Sequence, residues 1–183
     1  MAGILSTTQQ FIGETVLNHK FSKLRRDKKV VNLLEAQTIG LVYKVNDEKL
    51  FNAVKRLIKD LTSDKRQVMA LGFVDDITIP DYCVVAYSGY YFNRKDLNWY
   101  KLPKSDYINT FINKEYDILI DLSTSNDLIL QYIIGLSRAK FKVGRQRRGF
   151  TKYYDLMIRM KRKAPMTDFA EQAIHYLTVL KSK

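Results

Sequence analysis

The chain is poor in the residues that break or staple structure: 8 glycines, 3 prolines and 1 cysteine in 183 residues. Scarce glycine and proline exclude a collagen-like or low-complexity chain and argue against disorder. The lone cysteine, Cys83, excludes an internal disulfide and every zinc-ligand spacing, which suits a reducing compartment. It lies in the apolar run Tyr82 to Tyr87 and reads as a buried structural thiol. A nucleophilic role would need a histidine neighbour, and the chain has only His19 and His175. The longest strongly apolar stretch, Leu128 to Leu136, is interrupted by Gln131 and falls short of a bilayer span. The first residues lack the basic-then-apolar order of a secretion signal. A cytoplasmic protein without transmembrane insertion is therefore expected. G-x-G-x-x-G, P-loop, G-x-S-x-G and H-E-x-x-H motifs are all missing, so neither a cofactor nor a bound metal is expected.

What the chain does have is apolar content, at 46%, and aromatic rings, with 12 Tyr and 9 Phe. That suffices for a core without disulfides or metals. Residues 1 to about 34 look helical but irregular, with Phe11, Ile12, Val16 and Leu17 as a short apolar stripe. Thr38 to Val45 (TIGLVYKV) is β-branched and aromatic and predicts a buried strand. Leu50, Val54, Leu57, Ile58 and Leu61 recur at helical spacing, and Arg66 to Val74 predicts a second strand. Strand, helix, strand in so few residues is the size of a right-handed βαβ unit. Tyr82 to Tyr87 is read as a further strand, and Ser105 as the cap of a helix carrying Ile108, Phe111 and Ile112. Asp117 to Leu122 (DILIDL) is the clearest strand, followed by a helix from Asp127 to Ala139. Phe141 to Val143 and Tyr154 to Ile158 read as short strands, and a last helix opens at Pro165 and Thr167. Alternating strands and helices predict an α/β fold: a Rossmann-like or flavodoxin-like three-layer domain with a mostly parallel sheet of four to five strands over residues 37–183. Residues 1–36 form a basic helical N-terminal extension.

Charge is the strongest signal. Lys and Arg number 31 against 19 Asp and Glu, a formal +12, which favours polyanionic partners. The surplus is clustered. Lys20, Lys23, Arg25, Arg26, Lys28 and Lys29 face one acid, Asp27. From Leu128 to Tyr154 no acid occurs, while Arg138, Lys140, Lys142, Arg145, Arg147, Arg148 and Lys152 do, interleaved with Phe141, Phe150, Tyr153 and Tyr154. Arg159, Lys161, Arg162 and Lys163 follow. Arg forks onto phosphate oxygens, Lys supplies a mobile charge, and aromatic rings stack on unpaired bases. The function expected is non-catalytic RNA binding through these residues, on ribosomal RNA above all and with ribosomal proteins nearby; no small-molecule ligand is expected. Two alternatives stand beside it. One is an enzyme or small-ligand binder using Asp121, Ser123 and Ser125 at a strand's carboxyl end, where α/β sheets bind ligands; Asp75 and Asp76 follow another strand. The other is a peripheral membrane or scaffold protein held by its polybasic segments.

Residues 116–146, YDILIDLSTSNDLILQYIIGLSRAKFKVGRQ, resemble the strand–helix–strand unit in the N-terminal domain of heptosyltransferase-type glycosyltransferases, with their "DLVIDL … LSGAKRRIG" pattern. That resemblance implies a Rossmann-like fold; the activity itself needs a second, nucleotide-sugar domain. Most of the chain, through NLLEAQTIGLVYKV, DILIDLS, LSRAKFKVGRQ and YDLMI, is similar to a family of uncharacterised small basic bacterial α/β proteins. It implies no activity and no catalytic residue.

Overall fold

Thr38–Val45 forms strand β1, and its residues from Ile39 to Tyr43 are all buried, the mark of a strand covered on both faces. The computed structural model describes residues 2–63, 65–84, 89–147, 149 and 151–182. Around β1 lie β2 (Gln67–Val74), β3 (Tyr90–Asn93), β4 (Ile118–Asp121), β5 (Phe141–Arg145) and β6 (Leu156–Ile158). They form one sheet of 6 strands in the order β3-β2-β1-β4-β5-β6. Every pairing is parallel. This is the doubly wound Rossmann order, not the flavodoxin order, and its direction reverses between β1 and β4.

Helices α1 (Ala2–Lys23), α4 (Asp106–Asn113) and α5 (Leu128–Leu136) bury Leu17, Ile108, Phe111 and Ile133 with Val42, Phe73 and Leu119 of the sheet. Helices α2 (Glu48–Ser63) and α6 (Met166–Val179) bury Phe51, Val54, Leu61, Phe169 and Leu177 with Ile39, Leu41 and Val143. The two apolar layers thus separate by sheet face, giving the expected three-layer architecture. No helix among the described residues is long and apolar enough to cross a membrane.

The sheet has 6 strands where four to five are expected, and four segments also depart from expectation. Tyr82 to Val84 are not strand but lie in a single turn, α3 (Asp81–Val84), with the Cys83 amide bonded to the Pro80 carbonyl; residues 85–88 lie outside the described ones. Cys83 is buried, and burial pushes its thiol up to about 11, which makes it inert near neutrality. The strand comes later, at Tyr90–Asn93, where Tyr90 is exposed and Phe92 buried on the sheet's edge. Ser105 does precede α4, but its hydroxyl donates to Asp96 Oδ1 rather than capping the helix.

Helix α1 also stops at Lys23, short of the predicted helical span. Residues 24–32 form no helix or strand and residues 33–35 make a turn, with Val31 and Leu33 buried. The Lys29 amide donates to the Lys140 carbonyl at 3.2 Å, and the Leu33 amide to the Leu177 carbonyl at 2.8 Å. Asn32 Nδ2 donates to the carbonyls of Thr178 and Leu180 at the end of α6. The N-terminal segment is therefore stitched onto the domain at several points and is not a loose arm.

Candidate nucleic-acid interface

Which cations of the three clusters reach solvent follows from strand geometry. In β5 (FKVGR) side chains alternate, and helices cover both faces, so Lys142 has no route outward. It is 0% exposed. Its Nζ donates to the carbonyls of Ile134 and Gly135 at 2.7 and 3.0 Å, completing the C-terminal turn of α5. Burial, and after it the charge of Arg26, pushes the amine down to about 7. Lys142 is thus a core residue and no contact for phosphate.

Arg145, at the end of the same strand, is 7% exposed. Its guanidinium donates to the carbonyls of Ala164 and Pro165 and lies 5.2 Å from the centre of the Phe169 ring. Burial, then the charge of Arg147, lowers its pKa. Arg147 turns inward as well. Its Nη2 donates to Asp121 Oδ2 at 2.5 Å, and Nη1 to Ser123 Oγ at 3.3 Å and to the Ser125 carbonyl. Tyr154 donates to the same Asp121 oxygen at 2.5 Å, and the Ser123 amide donates to Oδ1. Burial, then the Asp121 charge, holds the Tyr154 phenol far above its ordinary range. Arg145 and Arg147 therefore hold the fold, and Arg148 lies outside the described residues.

The same geometry takes Asp121 and Ser123 out of the strand-end alternative, while Ser125 is exposed. Asp121 is 1% exposed and Ser123 3%. The carboxylate already accepts from Arg147, Tyr154 and its own loop, so it offers nothing to a substrate or a cation. Tyr154 needs room for this, and it lies over Gly144, where a Cβ would collide with its ring. Gly144→Ala should accordingly cost about 1–3 kcal/mol by overpacking, read as a lowered thermal midpoint. At the neighbouring strand ends, Lys44 of β1 bonds Asp75 at 2.7 Å and Asp127 at 3.2 Å, and Arg94 Nε bonds Asp75 at 2.8 Å. The switch point between β1 and β4 is thus bridged by the protein's own charges. Among the described residues no His, Cys, Asp and Glu side chains gather as a metal site.

Most of the remaining described cations of the clusters lie at the two edges of the sheet. At the N-terminal edge, Arg26 acts as an anchor. It donates to the carbonyls of Ala139 and Lys140 at 2.9 and 3.0 Å and to Asp155 at 2.5 Å, and its side chain is only 7% exposed. Around that anchor Lys23, Arg25, Lys28 and Lys29 are exposed, and none has a carboxylate partner among the described residues. Arg138, also exposed, stands two residues before the carbonyl that holds Lys29, and its amide donates to Ile112 at the end of α4. Lys114, which belongs to none of the three sequence clusters, follows that helix and covers the Tyr116 ring. Lys140 is shared, pairing Asp117 at 2.8 Å. Asp27 and Glu115 are the acids interspersed in these segments.

Lys20 and Lys152 lie between the edges. Lys20 donates to the Tyr132 hydroxyl, and Lys152 to Asn18 Oδ1 on α1. Arg159, Lys161, Arg162 and Lys163 are exposed at the opposite edge, beyond the end of β6, with Arg159 bonded to Gln146. The three sequence clusters therefore do not merge into one patch. What converges is the segment 23–29 with Arg138, Lys140 and Lys114. No local signal marks the pairing of Arg26 with Asp155, because it joins residues 129 apart.

No curated protein matches the chain. Among solved structures it is similar to "E. coli heptosyltransferase WaaC with ADP", with a TM-score of 0.48 and 9% identity, covering 78% of this chain and 48% of that one. The chain spans about half the length of that enzyme, and a likeness this remote says nothing of activity. Residues 9–180 match the model of a family of unknown function, DUF6913, and the chain belongs to that family.

Proposed function

We propose that the chain is a non-catalytic RNA-binding protein that sits on a large ribonucleoprotein, with the ribosome as the most abundant candidate. One observation carries this reading. A buried anchor, Arg26, pins the segment that follows α1 against the N-terminal edge of the sheet, so Lys23, Arg25, Lys28 and Lys29 stand exposed on fixed backbone beside Arg138. Fixed cations lose less freedom on binding than those of a loose tail. Spread along residues 23–29 and Arg138, they suit a polymer of phosphates better than a point anion. Shape and backbone contacts of this kind suit structured RNA, whose deep groove hides its base edges. Lys161, Arg162 and Lys163 at the far edge would meet a second stretch of the same polymer.

The test is a titration of fluorescently labelled structured RNA at several salt concentrations. Binding should weaken steeply and log-linearly with salt. The variant Lys28→Glu/Lys29→Glu/Arg138→Glu should bind at least tenfold more weakly. Its salt slope should be shallower by about 2–3, because each cation removed leaves one phosphate counterion in place on binding. Equal affinity and slope in the two proteins would remove this edge from the interface. Reversal of Lys142 or Arg145 is no such test, since either change strikes the core.

A further inference from the structure

We propose that a cleft on the C-terminal side of the sheet, away from the basic edge, holds a small molecule made of a flat ring and an anionic group, such as a nucleoside monophosphate. The leading sequence reading expects no small ligand, and its alternative places one at Asp121, Ser123 and Ser125; this cleft uses other residues. It has a volume of about 680 Å³ and opens between the first half of α1, the loop after β3 and the start of α5. That size suits a ligand of a few rings. It also lies outside the carboxyl ends of β2, β3 and β4, where doubly wound sheets place their ligands.

Two side chains define the chemistry. Trp99 lines the cleft at 64% exposure, and its indole N–H has no partner among the described residues. An exposed indole offers a flat face on which a planar ring can stack. It is not on a loose loop. Asn98 Oδ1 accepts from the amides of Tyr100 and Leu102, the Asn98 amide donates to the Leu102 carbonyl, and Leu97 bridges Pro103. Lys101 takes the left-handed backbone conformation, φ 60°, that this tight turn demands. Helix α1 closes in on the turn at Gly13, where a Cβ would press on the Tyr100 carbonyl. The indole is therefore presented on a preorganised loop.

Arg94 supplies the anion's partner. Its Nε is spent on Asp75, but its side chain is 57% exposed, and neither terminal nitrogen has a partner among the described residues. Those two nitrogens form the fork that grips a phosphate or carboxylate. The two nearby carboxylates, Asp75 and Asp127, are balanced by Lys44 and Arg94 together, and Lys101 on the cleft wall adds a further positive charge. Gln9 and Asn126 on the walls offer amides, each both donor and acceptor, for ring edges or hydroxyls.

Trp99 is the chain's only tryptophan, so emission excited at 295 nm reports this cleft alone. Titration of the full chain with adenosine monophosphate should quench that emission saturably, with a Kd below about 1 mM. Adenosine and inorganic phosphate, each half of the ligand, should both bind at least tenfold more weakly. Arg94→Ala should weaken adenosine monophosphate at least tenfold while leaving the thermal midpoint near that of the parent. Trp99→Ala, followed by calorimetry, should do the same. A linear, unsaturable quench would overturn the proposal, as would equal binding of phosphate alone. Should Arg94→Ala fail to fold, the comparison of the three ligands on the parent still decides. The basic-edge variant Lys28→Glu/Lys29→Glu/Arg138→Glu should keep its adenosine monophosphate affinity, so this cleft and the RNA reading stand or fall separately.

Discussion

Asp121→Asn should destabilise the protein by about 3–5 kcal/mol, the cost of stranding a buried charge. The substitution keeps the shape of the side chain and removes only its charge. Arg147, its side chain 13% exposed, then loses the charge of Asp121, and Tyr154 loses the carboxylate to which it donates. The size of the loss does not mean that the pair is worth as much. Removing both charges together, as in Asp121→Leu/Arg147→Met, should cost far less than Asp121→Asn alone, because a buried ion pair barely outweighs its own desolvation. Denaturant melts of the two singles and the double give the coupling directly. If Asp121→Asn melts like the parent, the network is an exposed, weak pair and the strand-end alternative reopens.

Lys142→Met should stabilise the protein near neutral pH, an unusual result for a residue with two good hydrogen bonds. The amine's folded value of about 7 lies below its ordinary 10.5. Between those values the unfolded chain holds a proton that the folded protein does not. Stability contributed by this group therefore rises with pH through the window from 7 to 10.5 and is at its lowest below it. Methionine fills a similar volume and has no proton to lose, so it removes this slope. The advantage of Lys142→Met over the parent should be largest near pH 6 and shrink by about 3 kcal/mol by about pH 9.5. The comparison between variants matters more than either curve, since buried tyrosines such as Tyr43 and Tyr116 titrate in the opposite sense at higher pH. Parallel stability curves for the two proteins would mean that Lys142 is charged and hydrated in the fold.

Hydrophobic pattern made the framework legible. Thr38 to Val45 was readable as a strand to the residue, because both faces of a central parallel strand are apolar and no turn residue interrupts it. The amphipathic spacing of α2 was equally plain. Short edge strands were not. Tyr90–Asn93 carries only four residues, one of them exposed, while the more apolar Tyr82 to Tyr87 has the stronger strand pattern. The cations misled for a different reason. A run such as Lys140, Lys142, Arg145 and Arg147 reads as one basic surface along the chain, yet strand alternation sends alternate residues to opposite faces. Because the predicted parallel sheet is covered on both sides, Lys142 had to be interior. Reading charge and strand periodicity together would have separated the core cations from the exposed ones. Nothing local reveals that Asp155 and Asp117 neutralise Arg26 and Lys140, and nothing in a motif search marks Trp99 as the rim of a cleft.

If the cationic edge fixed by Arg26 engages RNA in a large particle, sedimentation of cell lysate through a sucrose gradient at low salt will register it. The parent protein should travel with ribosomal fractions and leave them as salt is raised. The variant Lys28→Glu/Lys29→Glu/Arg138→Glu should remain at the top of the gradient at every salt concentration. A parent protein found at the top of the low-salt gradient, carrying no RNA, would overturn the RNA-binding reading.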